Sequence, residues 1–448
     1  MRKKDKKQLP LMITGIEHPH AVELQGISKI LDDNPIINKW VLQDLAQETA
    51  SYDTGAEGMT AAQVIRAAII KQMEGYSYED LAFHLIDSVC YRSFCRIGFA
   101  DKGFQKSALC KNIKAISSET WEAINRNLVA YGQDKKIEKG KQTRIDCTVV
   151  SSNIHDPTDS SLLWDSVRVL TRMLFQIRER FGDLKIPFAD HSRRAKRRML
   201  GVMNARNEKD RKVHYQDLLK MARNTVGYAT EAASMLERDP LMDVSLDIAE
   251  ELRGIILLAE KVIDQTTRRV MYAESVPASE KIVSIFEPHT DIIVKDRRET
   301  YYGHKICLSG GQSNLITDCL ILDGNPADTD LTGKMLDRHK EIYGHYPIKA
   351  ALDGGFASKE NLKSAKGKGI KDVCFAKKRG LEEGDMCRSL WVYKQLRRFR
   401  AGIESGISWL KRCFGLDRCT WKSLESFHSY VWASVVSANL LTLSRSRI

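Results

Sequence analysis

Residues 141–159, KQTRIDCTVVSSNIHDPTD, decide how the rest of the chain is read. The stretch from Thr143 to Val150 is rich in β-branched and apolar side chains, a composition that predicts a buried strand. Asp146 breaks the run, standing between Ile145 and the apolar residues 147–150. One reading is a core aspartate paired with a nearby arginine such as Arg144. The other is that the strand rigidly holds a carboxylate whose chemistry needs exact placement at the end of a sheet.

Before this strand the pattern has a helical period. In MTAAQVIRAAIIKQMEGYSYEDLAFHLIDS, Thr60 predicts an N-cap and Val64, Ile65, Ala68 and Ile69 an apolar stripe. Gly75 supplies a stop, and Ser77 caps a second helix ahead of Leu81 and Leu85. Two further helices are expected over 107–116 and 118–129. Short helices joined by tight turns suit a DNA-reading domain, with Gln105, Lys106, Lys111, Asn112 and Lys114 available for phosphates or base edges. The same pattern fits a small helical bundle with a solvated basic face.

After the strand, residues 161–284 return to long amphipathic helices. Strand character then resumes in TDIIVKDR, YGHKICLSGG, ITDCLILDG and IKAALDGGF, separated by Gly-rich or Asp-Gly turns. A helix from Ser358, a strand KDVCFAKK and two closing helices end the chain. One strand before a helical block and four or five after it predict a single mixed sheet, with an all-helical insertion leaving after the first strand. The expected organisation is a basic segment at 1–20, a helical domain at 21–135, the first part of the sheet domain at 141–155, the insertion at 156–290 and the remainder of the sheet domain at 291–448.

The chain has 448 residues, which favours two or three domains. Its 70 Lys and Arg against 58 Asp and Glu leave a formal charge of +12, which favours a polyanionic partner, nucleic acid first and an anionic membrane second. The longest apolar window, YVWASVVSANLLTL, falls short of the roughly 20 residues of a spanning helix and contains Ser and Asn. Ten cysteines without a CxxC pair suit reduced, buried thiols better than a zinc site or a disulfide framework. No P-loop is present.

Two more acids join Asp146. AALDGGFAS ends a β-like segment on Asp353, and the Gly-Gly after it allows a tight turn that leaves the carboxylate exposed. In RRFRAGIESGISWLKRCFG, helical geometry of about 100° per residue puts Arg397, Arg400, Glu404 and Lys411 within roughly 60° of one another. Ile403, Ile407, Leu410 and Phe414 form a separate apolar stripe. Alone, Arg400 and Glu404 are an ordinary i,i+4 pair. Two aspartates at strand ends and a helical glutamate, however, are the hard-oxygen donor set of a divalent-cation pair that drives in-line phosphoryl displacement.

At these residues the chain resembles the bacterial insertion-sequence transposases of the DDE class, and most closely the ISNCY-type group. The likeness runs from about Glu23 to the last helix and rests on EGMTAAQVIRAAIIKQMEGYSYEDLAFHL, KAISSETWEAINR, DCTVVSSNIHDPTDSSLLWDSVRVLTR, DGGFAS and FRAGIESGISWLKR. It implies an RNase H-like catalytic core with Asp146, Asp353 and Glu404 as catalytic, metal-binding acids. It also implies Mg²⁺, with Mn²⁺ as substitute, and double-stranded DNA as partner: the element's terminal repeats and the target. The family pattern around the glutamate is Tyr, two residues, Arg, three residues, Glu, six residues, Lys. Arg400, Glu404 and Lys411 fit it, whereas Arg397 stands at the Tyr position and puts a Tyr-specific contact in doubt. Asp156 likewise stands where an aromatic or neutral residue is usual.

The resemblance implies nicking at element ends and transfer of the freed 3′-hydroxyl into target DNA, by a homodimer or higher assembly in the bacterial cytoplasm at the nucleoid, without a membrane. A structure-specific nuclease on the same fold, or a catalytically silent DNA-binding derivative, are the alternatives. Further DNA contacts are expected from Arg397, Arg400 and Lys411 and from Arg193, Arg194, Lys196, Arg197 and Arg198 in HSRRAKRRML, which otherwise reads as a solvated helix face. KSAKGKGIKD and AKKRG form a second basic zone. Trp164 and Trp409 could stack on an unpaired base, though core packing is the commoner role for such residues. His155 could assist proton transfer, but reads first as structural.

Overall fold

The computed structural model describes residues 17–47, 58–98, 100–182, 186–238, 243–295 and 299–446. Most of the basic segment expected at 1–20 lies outside them. Seven helices come first: α1 Pro19–Asp33, α2 Ile36–Gln47, α3 Ala61–Glu74, α4 Tyr78–Asp87, α5 Val89–Phe94, α6 Lys106–Lys114 and α7 Ser118–Asp134. Their boundaries follow local chemistry. Thr60 and Gln63 close a capping box on α3, Gly75 ends it in the left-handed region at φ 67°, and Ser77 with Asp80 closes a second box on α4.

Strand β1, Gln142–Ser151, follows, and then a helical block of α8 Asp159–Arg180, α9 Ser192–Asn204, α10 Glu208–Glu237 and α11 Asp243–Thr266. The chain returns through β2 Asp291–Lys295, β3 Glu299–Gly310, β4 Ile316–Ile321, α12 Asp328–Tyr343, β5 Lys349–Leu352, α13 Lys359–Gly367, β6 Asp372–Phe375, α14 Glu383–Met386, α15 Leu390–Cys413 and α16 Leu424–Arg445. Helix α12 is absent from the sequence reading, which passes from β4 directly to β5.

These elements form two compact units, Asn153–Tyr302 and the remainder of the chain. The helical unit has its own core, in which Leu163, Leu170 and Leu174 of α8 meet Leu218 and Ala222 of α10 and Leu252 and Ala259 of α11. In the other unit β1 lies between an antiparallel neighbour, β3, and a parallel one, β5; β5 pairs parallel with β6 and β3 antiparallel with β4, while β2, which pairs with β3, falls with the first residues of β3 in the helical unit. The sheet is therefore mixed and six-stranded.

Helix α16 explains the apolar run near the C-terminus. It is buried along nearly its whole length and packs on α1, α3 and α7 as well as β4. Ser434, Asn439 and Ser444 are internal hydrogen-bonding groups. The Asn439 carboxamide accepts from the Ile316 N–H at 2.9 Å and donates to the Ile316 carbonyl and the Asn125 side chain, both at 2.7 Å; Gln72 donates to Ser434 at 2.8 Å. The first helices and the sheet consequently share one hydrophobic core. Among the described residues no helix is long and apolar enough to cross a membrane.

Candidate active site

Sheet register brings the two aspartates together. The last parallel pair between β1 and β5 is Ile145 with Leu352, so Asp146 and Asp353 are the next residues on adjacent strands. Beyond Leu352 the chain turns at once into a 3-10 segment, Gly354–Phe356, for which Asp353 is the N-cap residue. Gly354 and Gly355 are required by close packing: a Cβ on Gly354 would meet the Lys377 side chain at 2.7 Å, and one on Gly355 would meet the Asp328 carboxylate at 2.2 Å.

Glu404 arrives on α15, which packs across β1, β5 and β6. Its buried stripe, Val392, Tyr393, Leu396, Ile403, Ile407 and Leu410, fixes which face looks outward. Arg400, one turn before Glu404, joins all three acids. Its Nη1 lies 3.5 Å from Asp146 Oδ2 and 3.0 Å from Asp353 Oδ1, and its Nη2 lies 2.5 Å from Glu404 Oε1. The two aspartate oxygens are thus no further apart than the sum of their distances to Nη1, about 6.5 Å.

The acids grade from closed to open, with side-chain exposures of 17% for Asp146, 39% for Asp353 and 53% for Glu404. Burial, and then the neighbouring Asp353 charge, push the Asp146 carboxyl up to about 6; the Cys147 N–H, donating to Oδ1 at 2.8 Å, and Arg400 pull the other way. Burial and like charge thus outweigh Arg400 and the Cys147 N–H and favour the neutral form of Asp146. Among the described residues no group of three or more His, Cys, Asp and Glu side chains is disposed to hold a metal as it stands. The guanidinium fills the place between the carboxylates. A divalent ion fits this donor set, because three hard oxygen donors already converge on one cation and a bound ion would relieve the repulsion at Asp146.

Arg144 is not the partner of Asp146. It donates to the Phe399 carbonyl at 3.1 Å and to Asn314 Oδ1 at 2.7 Å. Several expected DNA contacts also have partners within the chain. Arg194 and Arg198 both bind Asp217, Lys196 lies over the Trp164 ring, and Lys411 is 3.5 Å from Asp417. Lys106 pairs with Glu79, Lys114 lies over Trp421, and Asn112 is buried with its amide on the Ala108 carbonyl, so α6 cannot present Asn112 to a base edge. Arg193, Arg197, Arg397 and Lys111 stand exposed. Trp164 and Trp409 pack against the cores of their units, and His155 faces the buried Asp165 at 3.7 Å.

Two family models match the chain. One, described as a transposase DDE domain, covers residues 262–440, a span that includes Asp353 and Glu404. The other, described as a transposase domain, covers residues 16–115. Asp146 lies between the two matched spans. No curated protein and no solved structure matches the chain significantly. With a mixed sheet that carries Asp146 within β1 and Asp353 just past the end of β5, these matches define a nucleic-acid phosphoryl-transfer enzyme of RNase H-like fold. The chain belongs to the DDE transposases of insertion sequences, metal-dependent enzymes that cut DNA.

Proposed function

We propose that Asp146, Asp353 and Glu404 are the catalytic acids and hold Mg²⁺, or Mn²⁺ in its place, for cleavage at element ends followed by strand transfer. The observation that carries this reading is the convergence of all three carboxylates on the single Arg400 guanidinium. When bound, a pair of divalent ions would activate the attacking hydroxyl and stabilise the departing oxygen of an in-line displacement.

The chain's own residues do the rest. Asp146 and Asp353 are fixed by strand register, while Glu404, more exposed and on a helix, closes the open side of the site. Arg400 balances the acids in the metal-free protein and, once released, is placed to meet a phosphate together with Arg397 and Lys411. Arg193, Arg194, Lys196, Arg197 and Arg198 serve the DNA backbone from the helical insertion, and the N-terminal helices bind the element's ends. Two protomers would be needed to hold two ends, in the cytoplasm at the nucleoid.

The test is incubation of the purified protein with DNA carrying its own element ends, target DNA and Mg²⁺ or Mn²⁺, with mapping of the cut and joined strands. The transposase reading expects a free 3′-hydroxyl at the element boundary and joined products. Nicks without joining would favour a nuclease, and binding without nicks a silent DNA-binding derivative.

A further inference from the structure

Two residues before Asp146 on β1, and therefore on the same face of the sheet, Arg144 is buried against α15. Its guanidinium caps the helix backbone at Phe399, the residue before Arg400, and lies 4.9 Å from the centre of the Phe399 ring. The approach depends on glycine. A Cβ on Gly402, two residues before Glu404, would sit 1.7 Å from Arg144 Nη1, and the cross-strand partner of Arg144 is Gly310, where a Cβ would come within 3.4 Å of Nε.

The second arm of the fork is held as firmly. Asn314, in the left-handed region at φ 64°, offers Oδ1 to Nη2 at 2.7 Å. Its turn is anchored by the buried Glu138 carboxylate, which accepts from the Ser313 N–H at 3.0 Å and the Ser313 hydroxyl at 2.6 Å. A Cβ on Gly311 would strike that carboxylate.

We propose that Arg144 is a positioning residue of the active site: by clamping the glycine-flattened face of α15 to β1, it sets the height and rotation at which Glu404 and Arg400 stand over Asp146 and Asp353. A planar guanidinium with two fixed partners and a stacked ring specifies both translation and orientation, which a point-charge lysine does not. The clamp spans the interval between Asp146 and Glu404, so loosening it spreads the three acids without removing one of them. This rests on the three-acid reading.

The test measures Mn²⁺ affinity by electron paramagnetic resonance in the full-length protein without DNA, together with cleavage at saturating metal and DNA. Arg144→Met removes the fork from the strand side, and Gly402→Ala expels it from the helix side. Each is expected to weaken Mn²⁺ binding at least tenfold and to slow cleavage at saturation, while affinity for end DNA in metal-free buffer stays within about twofold. Arg144→Lys is expected to recover little. Asn314→Gly suits the positive φ, removes one acceptor, and is expected to give about a threefold loss; it decides the question if the stronger variants do not fold. Wild-type Mn²⁺ affinity and saturated cleavage in the folded variants, with only a lowered melting temperature, would overturn the positioning role. Asp146→Asn separates the two claims: if it binds Mn²⁺ as wild type does, the three-acid reading fails, whereas loss of binding there with none in the clamp variants sinks the clamp alone.

Discussion

At the scale of the residue, Asp146 is held at a cost to stability. Burial and Asp353 oppose its ionisation, so Asp146→Asn is expected to raise the melting temperature in metal-free buffer at pH 7.5, by an amount corresponding to about 1–3 kcal/mol. The same variant is expected to abolish cleavage and leave end-DNA affinity near wild type, because the basic surface is unchanged. Calorimetry, strand mapping and a binding titration check the three parts; a lower melting temperature with weaker DNA binding would make Asp146 structural. His339 gives the acid response. Its imidazole Nε2 donates to the Gly140 carbonyl at 2.9 Å, Nδ1 is buried with no hydrogen-bond partner among the described residues, and burial holds its pKa down near 4 against an ordinary 6.5. The unfolded chain thus binds the extra proton first. Stability is full above about pH 6.5 and falls as pH drops towards 4, by up to about 3 kcal/mol. His339→Gln keeps a donor for Gly140 and cannot charge, so its urea midpoint is expected to fall less over that window; equal slopes would refute the assignment. The acids themselves were legible in the sequence because each interrupts or ends a recognisable pattern. Arg400 at their centre was not, since helical periodicity places it near Glu404 but says nothing of two strands distant in sequence.

Among the elements, β1, α3, α4 and the caps at Thr60 and Ser77 follow from local chemistry, and the structure has them where periodicity and capping predict. Helix α12 was missed although Asp328 and Asp330 stand in its first turn, Leu331, Met335, Leu336 and His339 are buried along it, and Gly344 ends it at φ 76°. The apolar residues on either side drew it into the strand pattern. Helix α16 is one of the two closing helices expected, but its neighbours were not legible: buried on nearly all sides, it has almost no amphipathic contrast, so periodicity alone does not reveal what it packs against. Its polar residues do. Asn439→Leu removes the partner of both backbone groups of Ile316 and of Asn125, leaving buried groups unsatisfied. A loss of about 2–4 kcal/mol is expected by urea denaturation. A change under 0.5 kcal/mol would show that the bridge between α16 and β4 contributes little.

For the whole molecule, the route into and out of the helical insertion is short. Ser151 on β1 pairs directly with Gly303 on β3, so the chain leaves and re-enters at neighbouring positions of one antiparallel ladder. Replacement of residues 153–302 by a short Gly-containing turn is therefore expected to leave the remaining unit folded, with a cooperative thermal transition and Mn²⁺ binding retained, while cleavage of element ends is lost. An unfolded product would mean that the sheet unit depends on the insertion for stability. The changes of period at residue 161 and near 290 mark the long helical block in the sequence; the sharing of one core by the first helices and the sheet is not legible there, because the contacts that create it join residues more than three hundred positions apart, as Gln72 and Ser434 do. Whether Asp146, Asp353 and Glu404 form one metal site, balanced by Arg400 in the metal-free protein, is decided by crystals grown in saturating Mn²⁺ with anomalous data collected at the manganese edge. Manganese density is expected at about 2.0–2.6 Å from oxygens of Asp146 and Asp353, with Glu404 directed to the same ions and Arg400 withdrawn. Manganese bound elsewhere, with Arg400 still bridging the three carboxylates, would contradict it.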